Sequence, residues 1–211
     1  MPSAVELPFI VKICGITNEE DAQAAVHAGA NALGFNFYPR SPRYIAPLRA
    51  RRIADAIAGV FLRVGVFVNP QEHELLSAIR EVRLDVVQLH GDDCPQLSAE
   101  FRIWKSIAPD HVPQSRDPLI EAYLLDSPSP QFGGSGKSFD WLHAARFPHR
   151  AIIAGGLDAN NVAAAIRTAS PWGVDACSRL ECSPGKKDPQ LMRDFIRAAT
   201  AAGRALQEVT R

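Results

Sequence analysis

Phe9-Ile10-Val11-Lys12-Ile13-Cys14, then Asn18 through Gly29, then Ala32-Leu33-Gly34-Phe35-Asn36-Phe37: this stretch sets the repeat from which the chain is built. The first and last segments are short, apolar and β-branched or aromatic, as strands require. Between them Asn18 can accept backbone N–H groups as a helix cap, Ala22, Ala25 and Val26 recur at helical spacing, and Gly29 ends the run. Two strands joined through a helix pair in parallel, because the connection is too long for a hairpin.

The same alternation continues outward. Further strand candidates are Leu62–Val68, Leu84–Leu89, Phe101–Lys105, Tyr123–Asp126, Ala151–Ala154 and Trp172–Asp175, which makes eight with the first two. Pro47 opens a helix where its missing N–H costs nothing, Asp158 or Asn160 starts one through Val162 and Ile166, and Pro189 starts the last, to about Leu206. The helices after the fourth and fifth strands are poorly signalled. Alternating βα units demand a parallel sheet covered by helices, closed as a barrel or left open and doubly wound. Eight units of roughly 26 residues, without a linker or a break in composition, favour a (βα)8 barrel (a TIM barrel) over residues 1–211 as one α/β domain.

Composition narrows the function. The chain has 211 residues, and 23 Lys+Arg balance 23 Asp+Glu; 46% of residues are hydrophobic and 22% charged. That is ordinary for a globular protein; it argues against disorder and against a nucleic-acid partner, which would call for a basic excess. No apolar run approaches the roughly 18 residues of a membrane span, so no membrane partner is expected. The first residues lack the basic start and apolar core of a signal peptide, and a cytoplasmic location follows as the expectation. Cys14, Cys94, Cys177 and Cys182 form no C-x-x-C pair and the six histidines no ligand-spaced cluster, so reduced thiols and no metal are expected.

In a (βα)8 barrel, catalytic groups come from the C-terminal ends of the strands. Period-two alternation puts Ile10, Lys12 and Cys14 on one face and Val11 and Ile13 on the other. Gln88 and His90 likewise oppose Val87 and Leu89, and Leu124 and Asp126 oppose Tyr123 and Leu125. The wholly apolar faces should meet the helices, leaving Cys14, His90, Asp126 and Asp175 pointing into one mouth. Each has a bland alternative: Cys14 as a small buried hydrophobe, Asp126 as a turn former before Ser127-Pro128, His90 as a loop residue before Gly91. Lys12 on the same face as Cys14 favours a thiolate.

The glycine-rich stretches divide. Gly133-Gly134-Ser135-Gly136-Lys137-Ser138 misses the P-loop spacing at Gln131 and the dinucleotide spacing at Phe139, so it reads as a lid over the mouth or a plain surface loop. Gly155 and Gly156, at the end of the seventh strand and before a helix, can cradle a phosphate with backbone N–H groups, with Ser178 of the turn after strand eight completing the cup.

Several blocks then resemble phosphoribosylanthranilate isomerases: Lys12-Ile13-Cys14-Gly15-Ile16-Thr17, Gly34 through Tyr44, Val64 through Asn69, and Val87-Gln88-Leu89-His90-Gly91. Gly133–Lys137 with Phe139-Asp140-Trp141, Ala154-Gly155-Gly156-Leu157 and Pro184-Gly185-Lys186-Lys187-Asp188 continue the match in order over nearly the whole chain. The resemblance implies a (βα)8 barrel of tryptophan biosynthesis that catalyses a cofactor-free Amadori rearrangement. Its substrate is N-(5'-phosphoribosyl)anthranilate and its product the carboxyphenylamino-deoxyribulose phosphate, an aldose–ketose isomerisation. It implies Cys14 as base, Asp126 as acid and Arg43 as the group that meets the anthranilate carboxylate. Gln88, His90, Gly155, Gly156, Asp175 and Ser178 are then the remaining candidate substrate-binding residues. Burial is expected to raise the proton affinity of Asp126 and Lys12 to lower that of Cys14. The small-molecule substrate is the one partner expected, with the chain a monomer or a homodimer.

One segment departs from the pattern. Where the family usually has Asp-Val-Ser-Ser-Gly-Val-Glu, this chain has Asp175-Ala176-Cys177-Ser178-Arg179-Leu180-Glu181. Arg179 replaces a glycine inside the expected phosphate cup and is denied the positive φ that glycine permits. That leaves two rivals: a barrel that binds a phosphorylated ligand without turnover, and a related aminoaldose isomerase, which is expected to use two aspartates rather than Cys14.

Overall fold

A computed structural model describes residues 9–92, 95, 97–113, 115, 117–126 and 140–209. Eight parallel strands close into a barrel in chain order: β1 (Ile10–Cys14), β2 (Ala32–Asn36), β3 (Leu62–Val68), β4 (Val86–His90), β5 (Arg102–Ile107), β6 (Ile120–Leu125), β7 (Ala151–Ile153) and β8 (Gly173–Ala176). All eight sequence-predicted strands are present; β6 begins three residues before Tyr123, and Asp126 lies just past its end. Closure comes from β1 against β8, with Ile10 opposite Gly173 and Lys12 opposite Asp175.

The helices follow the expected local chemistry where caps were legible. In α1 (Glu19–Ala28) the Asn18 side chain accepts the Asp21 N–H at 2.8 Å, and Gly29 closes the helix in the left-handed conformation. Pro47 is the first residue of α2 (Pro47–Ala56), and Gln71 and Glu74 form a capping box on α3 (Glu72–Val82). Among the described residues no helix lies between β4 and β5 or between β5 and β6, which corrects the expectation of a helix in every unit. These connectors carry Pro95 in one and Pro109, Pro113 and Pro118 in the other, and proline removes the N–H that a helix interior needs. After β6 comes the short α4 (Leu142–Ala145).

The helix after β7, α5 (Val162–Ala169), starts later than Asp158 or Asn160. Residues 158–161 close on themselves instead: Asn161 Oδ1 accepts the Asp158 N–H and Asn161 Nδ2 donates to the Gly156 carbonyl. A 3-10 turn (Ser178–Leu180) and a small antiparallel hairpin, β9 (Glu181–Ser183) with β10 (Lys186–Lys187), lead from β8 into α6 (Pro189–Val209). Met192, Phe195, Ile196 and Ala199 make the buried stripe of α6, at the i, i+3, i+4, i+7 spacing of one helix face.

The core has two layers that match the faces read from the alternation. Val11, Ile13, Leu33, Phe35, Tyr123 and Leu125 pack outward against the helices. Ile10, Ala32, Val64, Val86, Trp104 and Leu124 fill the lower barrel interior. Above them, at the C-terminal ends of the strands, the interior turns polar: Lys12, Gln88, His90 and Asp175 are all buried there. Burying ionisable groups costs several kcal/mol unless they are paired, so this layer marks the barrel's working end.

Candidate active site

Lys12 and Asp175 are register partners on adjacent strands, both inward, and Lys12 Nζ lies 2.8 Å from Asp175 Oδ1. Burial works against the ammonium, but the Asp175 carboxylate and the Cys14 sulfur outweigh it and hold Lys12 charged, above the ordinary lysine range. Burial pushes the Asp175 carboxyl up to about 7; Lys12 pulls it down, and the Cys14 sulfur adds to the rise. Lys12 is thus a fixed cation beneath Cys14, two residues on along the same face. Room for it comes from Gly34 on β2: a Cβ there would sit 2.8 Å from Cys14 Sγ and 3.1 Å from Lys12 Nζ.

Cys14 meets Cys177 at the rim. The hydrogen bond from the Cys177 thiol is the largest influence on Cys14 and carries its sulfur well below the ordinary thiol range; burial opposes it, and the cationic Lys12 and Lys187 add to it. Cys177 moves the other way, held well above that range first by the Cys14 anion and then by burial. The two sulfurs are therefore driven in opposite directions, Cys14 toward the thiolate and Cys177 toward the thiol. Lys12 acts on Cys14 as the sequence predicts, but the larger partner is Cys177, which sequence reading treated only as a departure in the phosphate cup.

Behind Cys177 stands a buried ionic cluster. Lys187 Nζ lies 2.9 Å from Glu181 Oε1, 3.3 Å from the Cys177 carbonyl and 3.7 Å from Cys177 Sγ. Arg43 grips Glu181 with two donors, Nε to Oε1 at 2.9 Å and Nη2 to Oε2 at 2.7 Å. Arg43 stands beside Cys14, since a Cβ on Gly15 would lie 2.8 Å from its Cδ. Its Nε–Nη2 edge is engaged by Glu181. Glu181 and Lys187 belong to quoted motif blocks but were given no role; their spacing from Arg43 of 138 and 144 residues hides the cluster from any local reading.

On β4 the amide of Gln88 donates to His90 Nε2 at 2.8 Å, which leaves the ring proton on Nδ1. Burial, with Lys12 and Lys105 nearby, drops the His90 pKa to about 3, so the ring is neutral. Lys105 on β5 donates to the Gly91 carbonyl, closing the turn beyond His90.

The loops after β7 and β8 face each other across a small pocket lined by Asp126, Gly155, Gly156, Asp175, Ser178 and Arg179, among others. Gly155 and Gly156 both have positive φ, 80° and 62°, a backbone that turns successive N–H groups toward one point. Arg179 does not inherit the strain expected from replacing glycine. It sits in the 3-10 turn, outside the positive-φ residues, and its Nε donates to Asp158 Oδ2 at 2.9 Å, tying the two loops together. Asp126 lines the same pocket from just past the end of β6, and in strand order β7 and β8 lie between it and β1, which carries Cys14. The structure thus gathers Cys14, Asp126, Asp175, Gly155, Gly156 and Ser178 around one opening, with Arg43 beside Cys14 and the Gln88–His90 pair on the inner wall. The lid reading of 127–139 and Cys94 lie outside the described residues.

The sequence profile described as N-(5'phosphoribosyl)anthranilate (PRA) isomerase matches residues 11–198. A protein of Solibacter usitatus named N-(5'-phosphoribosyl)anthranilate isomerase is 50% identical over 199 residues, 92% of this chain and 98% of its own. Among solved structures, a phosphoribosyl anthranilate isomerase in complex with reduced 1-(o-carboxyphenylamino)-1-deoxyribulose 5-phosphate superposes with a TM-score of 0.75 at 36% identity, covering 91% of this chain and 98% of that one. A monomerised form of the dimeric enzyme from Thermotoga maritima does so with a TM-score of 0.72 at 36% identity, with the same coverage.

Proposed function

The chain belongs to the N-(5'-phosphoribosyl)anthranilate isomerase family, a family of tryptophan biosynthesis, and from that premise we propose which of its residues carry the isomerisation. Asp126 acts as general acid and protonates the furanose ring oxygen, so that the ring opens to a Schiff base. Cys14, as thiolate, removes the C2′ proton, and the resulting enolamine tautomerises to the ketone. Acid and base must coexist at one pH, which requires that their surroundings treat them differently. The observation that supports the assignment is the placement of Cys14: an inward sulfur two residues beyond the buried Lys12, beside the opening that Asp126 also lines.

Substrate placement follows from the rest of the mouth. The phosphate is held by the N–H groups around Gly155, Gly156 and Ser178, with the Arg179 guanidinium at the edge. The anthranilate carboxylate meets Arg43, where a planar guanidinium suits it. A neutral His90 cannot compete for that carboxylate by charge; with Gln88 and Asp175 it supplies hydrogen bonds to the sugar. The bound product analogue in the related structure shows that a relative takes a ligand of this size. The barrel elements run from Ile10 to Val209, which supports reading the chain as one domain, and the dimeric relative supports a homodimer as the assembly to look for. No helix among the described residues is long and apolar enough to cross a membrane.

Turnover followed as loss of anthranilate fluorescence tests the reading. Conversion of phosphoribosylanthranilate is the expected result; substrate that binds without turnover would favour the non-catalytic rival. The unstrained Arg179 removes the main reason for that rival.

A further inference from the structure

We propose that Cys14 and Cys177 form a reversible disulfide when the protein meets a hydroperoxide, and that isomerisation stops while the bond stands. The second half rests on Cys14 being the base; the first half does not.

The geometry begins with register. Ile13 pairs with Ala176 at the end of the β1–β8 ladder, and Cys14 and Cys177 are the residues that follow them, Cys14 still on β1 and Cys177 just past the end of β8. Neighbouring strands run about 4.8 Å apart, inside the Cα separation of 4.4–6.8 Å that a disulfide accepts. Cys14 lies two residues beyond Lys12 on β1, and Cys177, two residues beyond Asp175, lines the pocket at the mouth. Cys177 is the largest influence on the Cys14 sulfur, and Cys177 Sγ packs so closely on the chain after Cys14 that a Cβ on Gly15 would be 3.0 Å away. Lys187 Nζ and Glu181 Oε1, at 3.7 and 3.8 Å, hold the Cys177 sulfur from its other side. Both cysteines are free in the structure.

The chemistry needs one nucleophilic sulfur and one resolving thiol, and the pair is already divided that way. The Cys14 thiolate attacks the terminal oxygen of the hydroperoxide: an S–O bond forms, the O–O bond breaks, and the alkoxide leaves and takes a proton from water. Cys177 then gives up its proton and its sulfur attacks Cys14; the S–S bond forms, the S–O bond breaks, and hydroxide leaves with that proton as water. Two thiols lose two electrons and two protons, and the peroxide becomes one alcohol and one water. A dithiol reverses the change by two thiol–disulfide exchanges. A sulfur in the disulfide has no anionic form and cannot remove the C2′ proton. Cys182 is exposed, and its sulfur faces the carbonyls of Lys186 and Lys187 across its own hairpin, so it does not compete for Cys14.

The test is to treat the full chain with hydrogen peroxide, block remaining thiols, and map peptides without reduction. The expected result is a linked pair of peptides carrying Cys14 and Cys177, a fall in turnover of about tenfold or more, and recovery of both mass and turnover with dithiothreitol. Cys177→Ser should give no such link, and its Cys14 should go on to sulfinic acid that dithiothreitol does not rescue. Cys182→Ser should link as the unaltered chain does. Oxidation of Cys14 without a link to Cys177, or identical recovery of the Cys177→Ser variant, overturns the proposal. A link that forms with turnover unchanged overturns the stop, and with it the assignment of Cys14 as base.

Discussion

Replacing Lys12 by Met removes the one charge that both buried neighbours share. The ammonium lies 2.8 Å from Asp175 and is fully buried, so its loss leaves an uncompensated carboxyl in the barrel interior. Breaking a buried pair in this way costs about 3–5 kcal/mol. Asp175, already raised to about 7, loses the group that pulls it down and becomes protonated across the neutral range. Cys14 loses one of the cations that favour its thiolate. Cys177 and Lys187 remain, so turnover at pH 7.5 should fall in part, and the rise of kcat with pH should move to higher pH than in the unaltered protein. The assay is kcat against pH, with urea unfolding on the same sample. Adding Asp175→Asn removes the orphaned carboxyl, so stability should return while the shifted pH profile stays. An unshifted profile in a folded Lys12→Met protein would refute the reasoning.

Gly34→Ala places a Cβ 2.8 Å from Cys14 Sγ and 3.1 Å from Lys12 Nζ, and a displacement near 1 Å at a reacting group costs about 100-fold in kcat; an unchanged kcat would show that the space beside Cys14 is spare. His90 has a folded pKa near 3 against about 6.5 unfolded, so the unfolded chain takes up a proton the native one refuses, and this residue's contribution is lost as pH falls below 6.5. Between pH 7 and pH 5 the stability advantage over His90→Gln should shrink by about 2 kcal/mol in urea titrations, and a constant difference would contradict the buried neutral ring. Arg179→Gly should raise KM about threefold to fivefold with little change in kcat, because a half-exposed guanidinium contributes about 1 kcal/mol or less; an unchanged KM would place the side chain outside phosphate binding.

Much of this architecture was legible because it is local. The alternation in Ile10–Cys14 put Lys12 and Cys14 inside and Val11 and Ile13 against the helices, and both assignments hold. Asn18, Gly29 and Pro47 mark helix ends by chemistry that acts within a few residues. What sequence reading missed depends on distance along the chain. The Lys12–Asp175 contact spans 163 residues and becomes visible only when β8 closes on β1; the same closure brings Cys177 to Cys14. The β9–β10 hairpin is too short and polar for periodicity to register, yet it delivers Glu181 and Lys187 to the site. Asp158 looked like a helix cap because its type suits one, but its carboxylate goes to Arg179 and to the Asn160 N–H instead.

Turnover of Cys14→Ser and Asp126→Asn, measured beside their binding of reduced 1-(o-carboxyphenylamino)-1-deoxyribulose 5-phosphate, tests the acid–base pair most directly. Each variant should keep the ligand and lose about 100-fold or more in kcat, as expected for removal of a general acid or base. Near-normal turnover by either one would contradict the assignment.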